Sequence, residues 1–284
     1  MPAPGSLLRP DTLLFIYYIE GAIPAHHPLE ADNFIGNWVE DDSSFLFFTQ
    51  PAHAKVVELL ADFPDKKLLD EFEMTYAQWQ GGLTQPLRIG RFLLNPTWIK
   101  ASPGDNEVAI TIDSGVVFGN GTHATTQACL EAIDIACSGN KVHSMLDLGC
   151  GTGILALAAA KLGCERIVAL DYNYLATKTA RQNVILNQLD DRILVVNGKA
   201  EEHTAMATDL LVANIHFEVM KELVHTEGFL RQKWFILSGL LTSEVEKILE
   251  FLATQPVLIL KRWNQDDIWH TILGITQMSG ESKA

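Results

Sequence analysis

Basic residues, cysteines and long apolar runs are all scarce in this 284-residue sequence, and each shortage argues against a class of protein. The 21 lysines and arginines are outnumbered by 35 acidic residues, and the net charge of −14 argues against a protein that coats a nucleic-acid backbone. We therefore expect no direct nucleic-acid binding, whereas this charge would attract a basic protein substrate. An acidic surface that serves only solubility is the commoner explanation.

The four cysteines contain no C-x-x-C pair, which indicates reduced thiols instead of a disulfide framework. The adjacent His26 and His27 lack partners at metal-ligand spacing, so we expect a loop pair and no metal site. Apolar runs such as Leu13–Ile19 are too short to span a bilayer, and Met1–Pro10 is not followed by a secretory-type apolar segment. These observations favour a cytoplasmic globular protein that does not associate with membranes.

The chain is organised around a glycine-rich loop, Asp147–Ile154, that carries glycines at positions 149, 151 and 153. A short apolar run precedes the loop and an Ala/Leu-rich run follows it, which predicts a strand, a tight loop and a helix. Since glycine has no Cβ and tolerates positive φ, a ligand can lie against such backbone and face the free N–H groups of the helix.

The spacing of the glycines indicates which ligand the loop suits. A dinucleotide fingerprint would need its third glycine at position 154, where Ile154 stands, and Asp147 would repel a pyrophosphate. The D-x-G-x-G-x-G pattern resembles the first motif of S-adenosylmethionine (SAM) methyltransferases. A nucleoside with a cationic sulfonium would be compatible with the leading carboxylate.

From residue 142 onward, predicted strands and helices alternate, which is typical of a parallel sheet with helices on both faces. The last two predicted strands, Val257–Trp263 and Trp269–Ile275, are joined by a short loop and must therefore be antiparallel. We therefore predict an α/β fold: a doubly wound sheet that ends in an antiparallel hairpin, the usual methyltransferase arrangement.

Residues 1–66 show a different pattern, a mixture of strands and helix that predicts a small α+β unit without a catalytic constellation. Thr12–Glu20 and Ser44–Phe48 are rich in aromatic or β-branched residues and are predicted strands. Ala52–Phe63 has the apolar spacing of a helix and is followed by Pro64.

Residues 67–82 are predicted to be a linker helix that ends at Gly81–Gly82, and residues 83–284 to be the large domain. Near the start of that domain, Leu87–Leu94 and Glu107–Ile112 are predicted to be a pair of strands around a turn-rich segment.

Three polar residues follow predicted strands at the edge of the sheet where ligands bind in such folds: Asp147, Asp171 and Asn214. Asp171 lies 22 positions after Gly149, a spacing that suits a carboxylate accepting two ribose hydroxyls, although a helix N-cap is the alternative. Methyl transfer requires a neutral nucleophile held in line, and the Asn214 amide could hold such an amine. His216 is a candidate base, against the commoner role of a polar loop residue.

A second cluster, Phe118–Thr126, combines two glycines with three threonines and a histidine before a predicted helix. A helix N-cap would need only one such residue, so the crowding favours a loop that closes over a ligand.

These motifs together resemble the PrmA family, the methyltransferases of large-subunit ribosomal protein eleven. The resemblance covers about residues 76–275 and is specific. It rests on Trp79, Pro86–Gly90, Asn95–Trp98, Phe118–Thr126, Leu146–Ala156, Val212–Ile215 and Leu237–Gly239.

The resemblance implies a class I methyltransferase domain behind a ferredoxin-like substrate-recognition domain, with SAM as the cofactor. It also implies transfer to lysine ε-amines or an N-terminal amine of a ribosomal protein. The implied SAM contacts, to which the leading carboxylate Asp147 is added, are Thr126, Gly149, Asp171 and Asn214, with His123 and Gly151 nearby. Asp171–Tyr174 and His216–Phe217 depart from the family pattern. A small-molecule or other protein acceptor, or a non-catalytic SAM-binding adaptor, therefore remain alternatives.

Overall fold

The computed structural model describes residues 8–24, 29, 31–81, 84–203 and 205–277, which form three sheets flanked by helices. The predicted loop pair His26–His27 and the glycine at position 82 lie outside these residues. None of the helices in the described ranges combines the length and the apolarity needed to cross a bilayer.

The N-terminal sheet has four antiparallel strands in the order β2-β3-β1-β4, which is the ferredoxin-like order. Its elements are β1 (Leu13–Glu20), β2 (Phe34–Glu40), β3 (Ser43–Phe48), α1 (His53–Ala61) and β4 (Lys67–Thr75). Helix α1 covers one face of the sheet with Val56 and Leu59. The described part of the connection between β1 and β2 forms no helix, and the face opposite α1 meets α5 of the main domain.

The prediction of a linker helix over residues 67–82 is wrong for most of its length. Residues 67–75 form β4, which pairs with β1 from Leu13↔Thr75 to Glu20↔Lys67, and only the short α2 (Tyr76–Trp79) is helical. Leucine, glutamate and methionine favour helix locally, but pairing along a strand edge outweighs this weak propensity. The N-terminal sheet therefore extends beyond the boundary predicted at residue 66.

A three-stranded sheet follows, made of β5 (Leu87–Ile89), β6 (Phe92–Pro96) and β7 (Val108–Ile112). The strand predicted over residues 87–94 is split at Gly90, whose φ of 54° makes the turn of a β5–β6 hairpin. Strands β6 and β7 are parallel, so the turn-rich segment between them is a crossover connection instead of a hairpin.

The main sheet has seven strands in the order β10-β9-β8-β11-β12-β14-β13, which confirms the predicted doubly wound α/β fold. Strand β14 runs antiparallel to both of its neighbours, β12 and β13, which confirms the terminal hairpin. Helix α3 (Ala124–Cys137) precedes the sheet, whose elements are β8 (Ser144–Leu148), α4 (Ile154–Lys161), β9 (Arg166–Asp171), α5 (Tyr174–Leu186), β10 (Ile193–Asn197), β11 (Leu210–Asn214), α6 (Phe217–Val224), β12 (Trp234–Leu241), α7 (Thr242–Leu252), β13 (Val257–Gln265) and β14 (Trp269–Thr276).

The two faces of the main sheet are buried by different helices. Helices α3 and α4 contribute to the apolar cluster on one face, and α6 and α7 to the cluster on the other. Helix α4 is buried from Ile154 to Ala160, and its four alanines allow close packing on the sheet. The glycine loop that precedes α4 is therefore joined to a helix that is buried along all but its last residue.

The N-terminal sheet packs directly on the main domain at α5. Ile16 and Phe47 share an apolar cluster with Leu175 of α5. Leu175 approaches Gly36 of β2 so closely that a Cβ at that position would overlap its side chain. The side-chain Nδ2 of Asn173 donates a hydrogen bond to the Val39 carbonyl at 3.1 Å. These contacts fix the sheet beside the carboxyl ends of the parallel strands.

Candidate active site

The glycine loop connects β8 to α4 in a conformation that only glycine adopts without strain. Gly149, Gly151 and Gly153 have φ values of 70°, 53° and 80°. A Cβ at Gly149 would overlap Ile215, and a Cβ at Gly151 would lie 2.5 Å from the Phe118 carbonyl oxygen. The neighbouring loops therefore approach bare backbone on both sides of the glycine loop, as the sequence pattern predicts.

Asp147 lies beneath this loop and is fully buried. Its Oδ2 accepts the Ala156 backbone N–H at 3.2 Å, in the first turn of α4, while its Oδ1 has no hydrogen-bond partner in the part of the chain that the structure describes. Burial raises the pKa of Asp147 to about 7. Asp147 thus has one carboxyl oxygen that is shielded from water and unpaired among the described residues, which is uncommon in a folded protein.

Asp171 ends β9 and is almost fully buried beside the loop. Its Oδ2 accepts the Gly151 N–H at 3.0 Å, and its Oδ1 accepts the Asn173 N–H at 2.9 Å. The N-cap of α5 is Asn173, whose side chain accepts the Leu175 N–H, so Asp171 does not fill that role. Burial raises the pKa of Asp171, and each carboxylate oxygen keeps a lone pair for a hydroxyl donor.

His123, Thr125 and Asn214 form a chain of hydrogen bonds that joins the hydroxyl-rich loop to the end of β11. The Nδ1 of His123 accepts the Thr125 N–H at 3.3 Å and lies 2.7 Å from Thr125 Oγ1. That Oγ1 accepts a hydrogen bond from Asn214 Nδ2 at 3.3 Å, so the Thr125 hydroxyl is free to donate to His123. These hydrogen bonds require a neutral His123, and burial lowers the pKa of its ring. They leave the Asn214 amide oxygen as an acceptor.

Thr126 follows in the first turn of α3 and is also buried. Its Oγ1 has no hydrogen-bond partner among the described residues. Together with Asp147 Oδ1 it gives the site a second buried oxygen without a partner, which is uncommon in a folded protein.

His216 lies at the outer side of the site, two residues beyond Asn214. Its side chain is 87% exposed, and its Nε2 is 3.9 Å from Glu40 Oε1 of the N-terminal sheet. The structure thus places His216 at the surface, where its ring contacts the neighbouring sheet and solvent.

Gln80 and Asn183, two polar residues that the sequence did not indicate, hold the loops around the site. Gln80 donates to the Gly115 carbonyl at 2.7 Å, and Asn120 donates to the Gln80 carbonyl at 2.6 Å. Asn183 of α5 is fully buried and donates to the Thr152 carbonyl at 2.9 Å. A polar residue on the buried face of a predicted helix is the one signal that could have identified Asn183.

The strand order and a glycine loop that follows the first parallel strand define a Rossmann-like class I methyltransferase fold. The model of the family "Ribosomal protein L11 methyltransferase (PrmA)" matches residues 57–277. The chain belongs to this family, as the sequence motifs predict. Strands β1 to β3 precede the matched region.

Individual relatives agree with this assignment. A ribosomal protein L11 methyltransferase from Carboxydothermus hydrogenoformans is 38% identical over 183 residues, covering 63% of this chain and 59% of the relative. Another from Gloeobacter violaceus is 35% identical over 205 residues, covering 69% of this chain and 60% of the relative. The crystal structure of a ribosomal protein L11 methylase from Lactobacillus delbrueckii subsp. bulgaricus matches with a TM-score of 0.61 and 26% identity, covering 68% of this chain and all of that one. The chain thus matches about six tenths of the length of these two curated relatives.

Proposed function

We propose that this protein is a cytoplasmic SAM-dependent methyltransferase that modifies amino groups of a ribosomal protein, either lysine ε-amines or an N-terminal amine. The observation that carries the proposal is the glycine loop with the buried carboxyl groups of Asp147 and Asp171, which bind the N–H groups of Ala156 and Gly151. Family membership supports it, since the relatives are described as methyltransferases of ribosomal protein L11. We propose that protein as the acceptor.

The residues of the site fit SAM better than a phosphate-bearing cofactor. Gly149 and Gly151 let Ile215 and Phe118 approach the glycine loop closely, and Asp171, which binds that loop, offers oxygens to ribose hydroxyls. Asp147 Oδ1 and Thr126 Oγ1 are buried oxygens that lack partners and would accept hydrogen bonds or face a cation. When bound, SAM supplies an electrophilic methyl group on a sulfonium.

The role of Asn214 in this proposal is to hold the acceptor amine in its neutral form. Its amide oxygen accepts an N–H of the amine and so directs the nitrogen lone pair. The hydrogen bond from its Nδ2 to Thr125 fixes which end of the amide faces the acceptor. We propose His216 as the base, because its exposed ring can take a proton and pass it to water.

The test is to incubate the protein with methyl-labelled SAM and the separated proteins of a large ribosomal subunit. We expect label in ribosomal protein L11, and no label with Asn214→Ala. Label confined to small molecules, or to proteins outside the ribosome, would overturn the acceptor assignment. SAM binding with no labelled product in any fraction would favour the non-catalytic adaptor.

Cofactor binding is tested separately by calorimetry with SAM. Gly149→Arg is expected to abolish binding, since its side chain would meet Ile215, and Asp171→Ala should weaken it at least tenfold (roughly, for loss of hydrogen bonds to a charged group). Glu58→Ala on the distant helix α1 is the control. If both site variants bound SAM as tightly as this control, the proposed site would be wrong.

A further inference from the structure

One row of side chains crosses all four strands of the N-terminal sheet on the face that meets the main domain. Register partners place Asp70 beside Tyr18, Tyr18 beside Phe45, and Phe45 beside Trp38. The rings of Tyr18 and Phe45 are stacked, with centroids 4.8 Å apart and planes at 5°. We call these four residues the aromatic row.

The aromatic row is only partly covered by the main domain. In the next row toward that domain, Ile16 and Phe47 are buried, and Leu175 of α5 lies against Gly36. The three rings of the aromatic row keep part of their surface in solvent, and Asp70 is exposed. Phe72, the strand partner of Ile16, is also 40% exposed. The uncovered part of the sheet face is thus apolar and aromatic, with an acidic end.

Glu40 connects the aromatic row to the acceptor side of the site. Its Oε2 accepts a hydrogen bond from Trp38 Nε1 at 3.3 Å, and its Oε1 is 3.9 Å from His216 Nε2. Burial, and then the charge of Glu40, raises the pKa of Tyr172, so this tyrosine lies near Glu40 as well. Glu40 thus links the aromatic row to His216, which follows Asn214 by two positions in the sequence.

The chemistry of this surface suits a cation. Carboxylates lie at both ends of the row, at Asp70 and Glu40, and the turn after β2 adds the exposed Asp41 and Asp42. Aromatic faces attract lysine and arginine side chains, and nearby carboxylates strengthen that attraction. A nucleic-acid backbone would be repelled by the same charges.

We propose that the aromatic row, together with Glu40, is the docking surface for a lysine-rich segment of the protein substrate, whose amine it presents toward Asn214. The proposal rests on the proposed function for the identity of the substrate. It assigns recognition to named residues on four strands, of which β1 to β3 precede the region matched by the family model and β4 lies within it.

The first experiment uses a short lysine–alanine peptide as the probe and follows its binding at low salt. We expect Glu40→Lys and Asp70→Lys each to raise Kd about three- to tenfold, since each replaces an attraction by a repulsion. The matched control is Glu58→Lys, which makes the same charge change on α1, on the opposite face of the sheet. Equal Kd values for the three variants would overturn the proposal.

A second measurement locates the peptide independently of charge. Binding is expected to shift tryptophan emission, and Trp38→Phe should abolish that shift while the protein still binds the peptide. A shift of unchanged size in Trp38→Phe would place the peptide elsewhere and overturn the proposal.

Methyl-transfer kinetics separate this proposal from the proposed function. With ribosomal protein L11 as acceptor, Asp70→Lys should raise KM about three- to tenfold and lower kcat less, while the Kd for SAM stays that of the wild type. If the wild type transfers no methyl group but peptide binding follows the expected order, the proposed function fails and the docking surface stands. If methyl transfer proceeds and Asp70→Lys has the same KM as Glu58→Lys, the docking-surface proposal is wrong while the proposed function stands.

Discussion

At the scale of single residues, Asp147 is unusual because it is a fully buried carboxyl with one oxygen unpaired. Its pKa of about 7 in the folded chain lies above the ordinary value of 3.8, so the folded state binds a proton that the unfolded state releases. The contribution of Asp147 to the free energy of unfolding is therefore fully present below about pH 4 and is lost as the pH rises through about 7. A cationic ligand beside Asp147 would reverse this shift.

We expect Asp147→Asn to raise the free energy of unfolding of the ligand-free protein by about 2–4 kcal/mol at pH 8, because no buried charge has to form. At pH 4 the gain should nearly vanish. Urea unfolding of both proteins at the two pH values measures it. The same variant should bind SAM more weakly, and a variant that is no more stable at pH 8 would show that Asp147 is not held protonated by burial.

The hydroxyl of Thr125 is the link between His123 and Asn214, so Thr125→Val should misorient the Asn214 amide and reduce methyl transfer about tenfold or more. Thr125→Ser keeps the hydroxyl and serves as the control. Initial rates at saturating SAM give the comparison. Similar rates for the valine and serine variants would remove Thr125 from the mechanism.

The same chain of hydrogen bonds predicts a pH dependence. Because the pKa of His123 is lowered in the folded protein, its contribution to stability is full above about pH 6.5 and is lost as pH falls through the folded pKa. Protonation of Nδ1 would place two donors, this N–H and that of Thr125, against each other. Methyl transfer should therefore fall on the acid side, and His123→Gln should flatten that limb of the rate profile.

At the scale of the elements, the Asn183 side chain joins α5 to two other segments of backbone, at Asp113 and Thr152. It accepts the Asp113 N–H at 2.8 Å, and donates to the carbonyls of Asp113 and Thr152 at 2.8 and 2.9 Å. Asn183→Ala should lower the free energy of unfolding by about 2–4 kcal/mol, because buried backbone groups lose their partners. Urea denaturation measures this. Arg181→Ala, at an exposed position of the same helix, is the control and should change stability by about 0.5 kcal/mol or less.

The sequence predicted those parts of the fold that depend on local patterns. The alternation of strands and helices and the positions of Asp171 and Asn214 at strand ends follow from short stretches of chain, and the structure places them at one edge of the main sheet. Strand β2 was missed because Gly36 and Asn37 disfavour strands and are explained only by their tertiary partners. The hydrogen bond from Asn214 to Thr125 spans 89 positions, and no local pattern predicts it.

At the scale of the whole molecule, the N-terminal sheet is fixed to α5 through the contact of Gly36 with Leu175. Gly36→Val should weaken that attachment by about 1–3 kcal/mol through overpacking. Thermal unfolding and limited proteolysis should both report the loss. Adding Leu175→Ala should restore part of the stability, and a double variant no more stable than the sum of the single effects would show that the two residues do not act on one contact.

Asn173 forms hydrogen bonds both to the candidate active site and to the N-terminal sheet. Its backbone N–H binds Asp171, while its side chain caps α5 and donates to the Val39 carbonyl of the N-terminal sheet. A ligand that binds more tightly when Asn173 holds Asp171 in place must also favour the attached position of the sheet. Thermodynamic reciprocity then requires the attached sheet to raise affinity for that ligand by the same factor. Asn173 is thus positioned to couple cofactor occupancy to the arrangement of the two parts of the molecule.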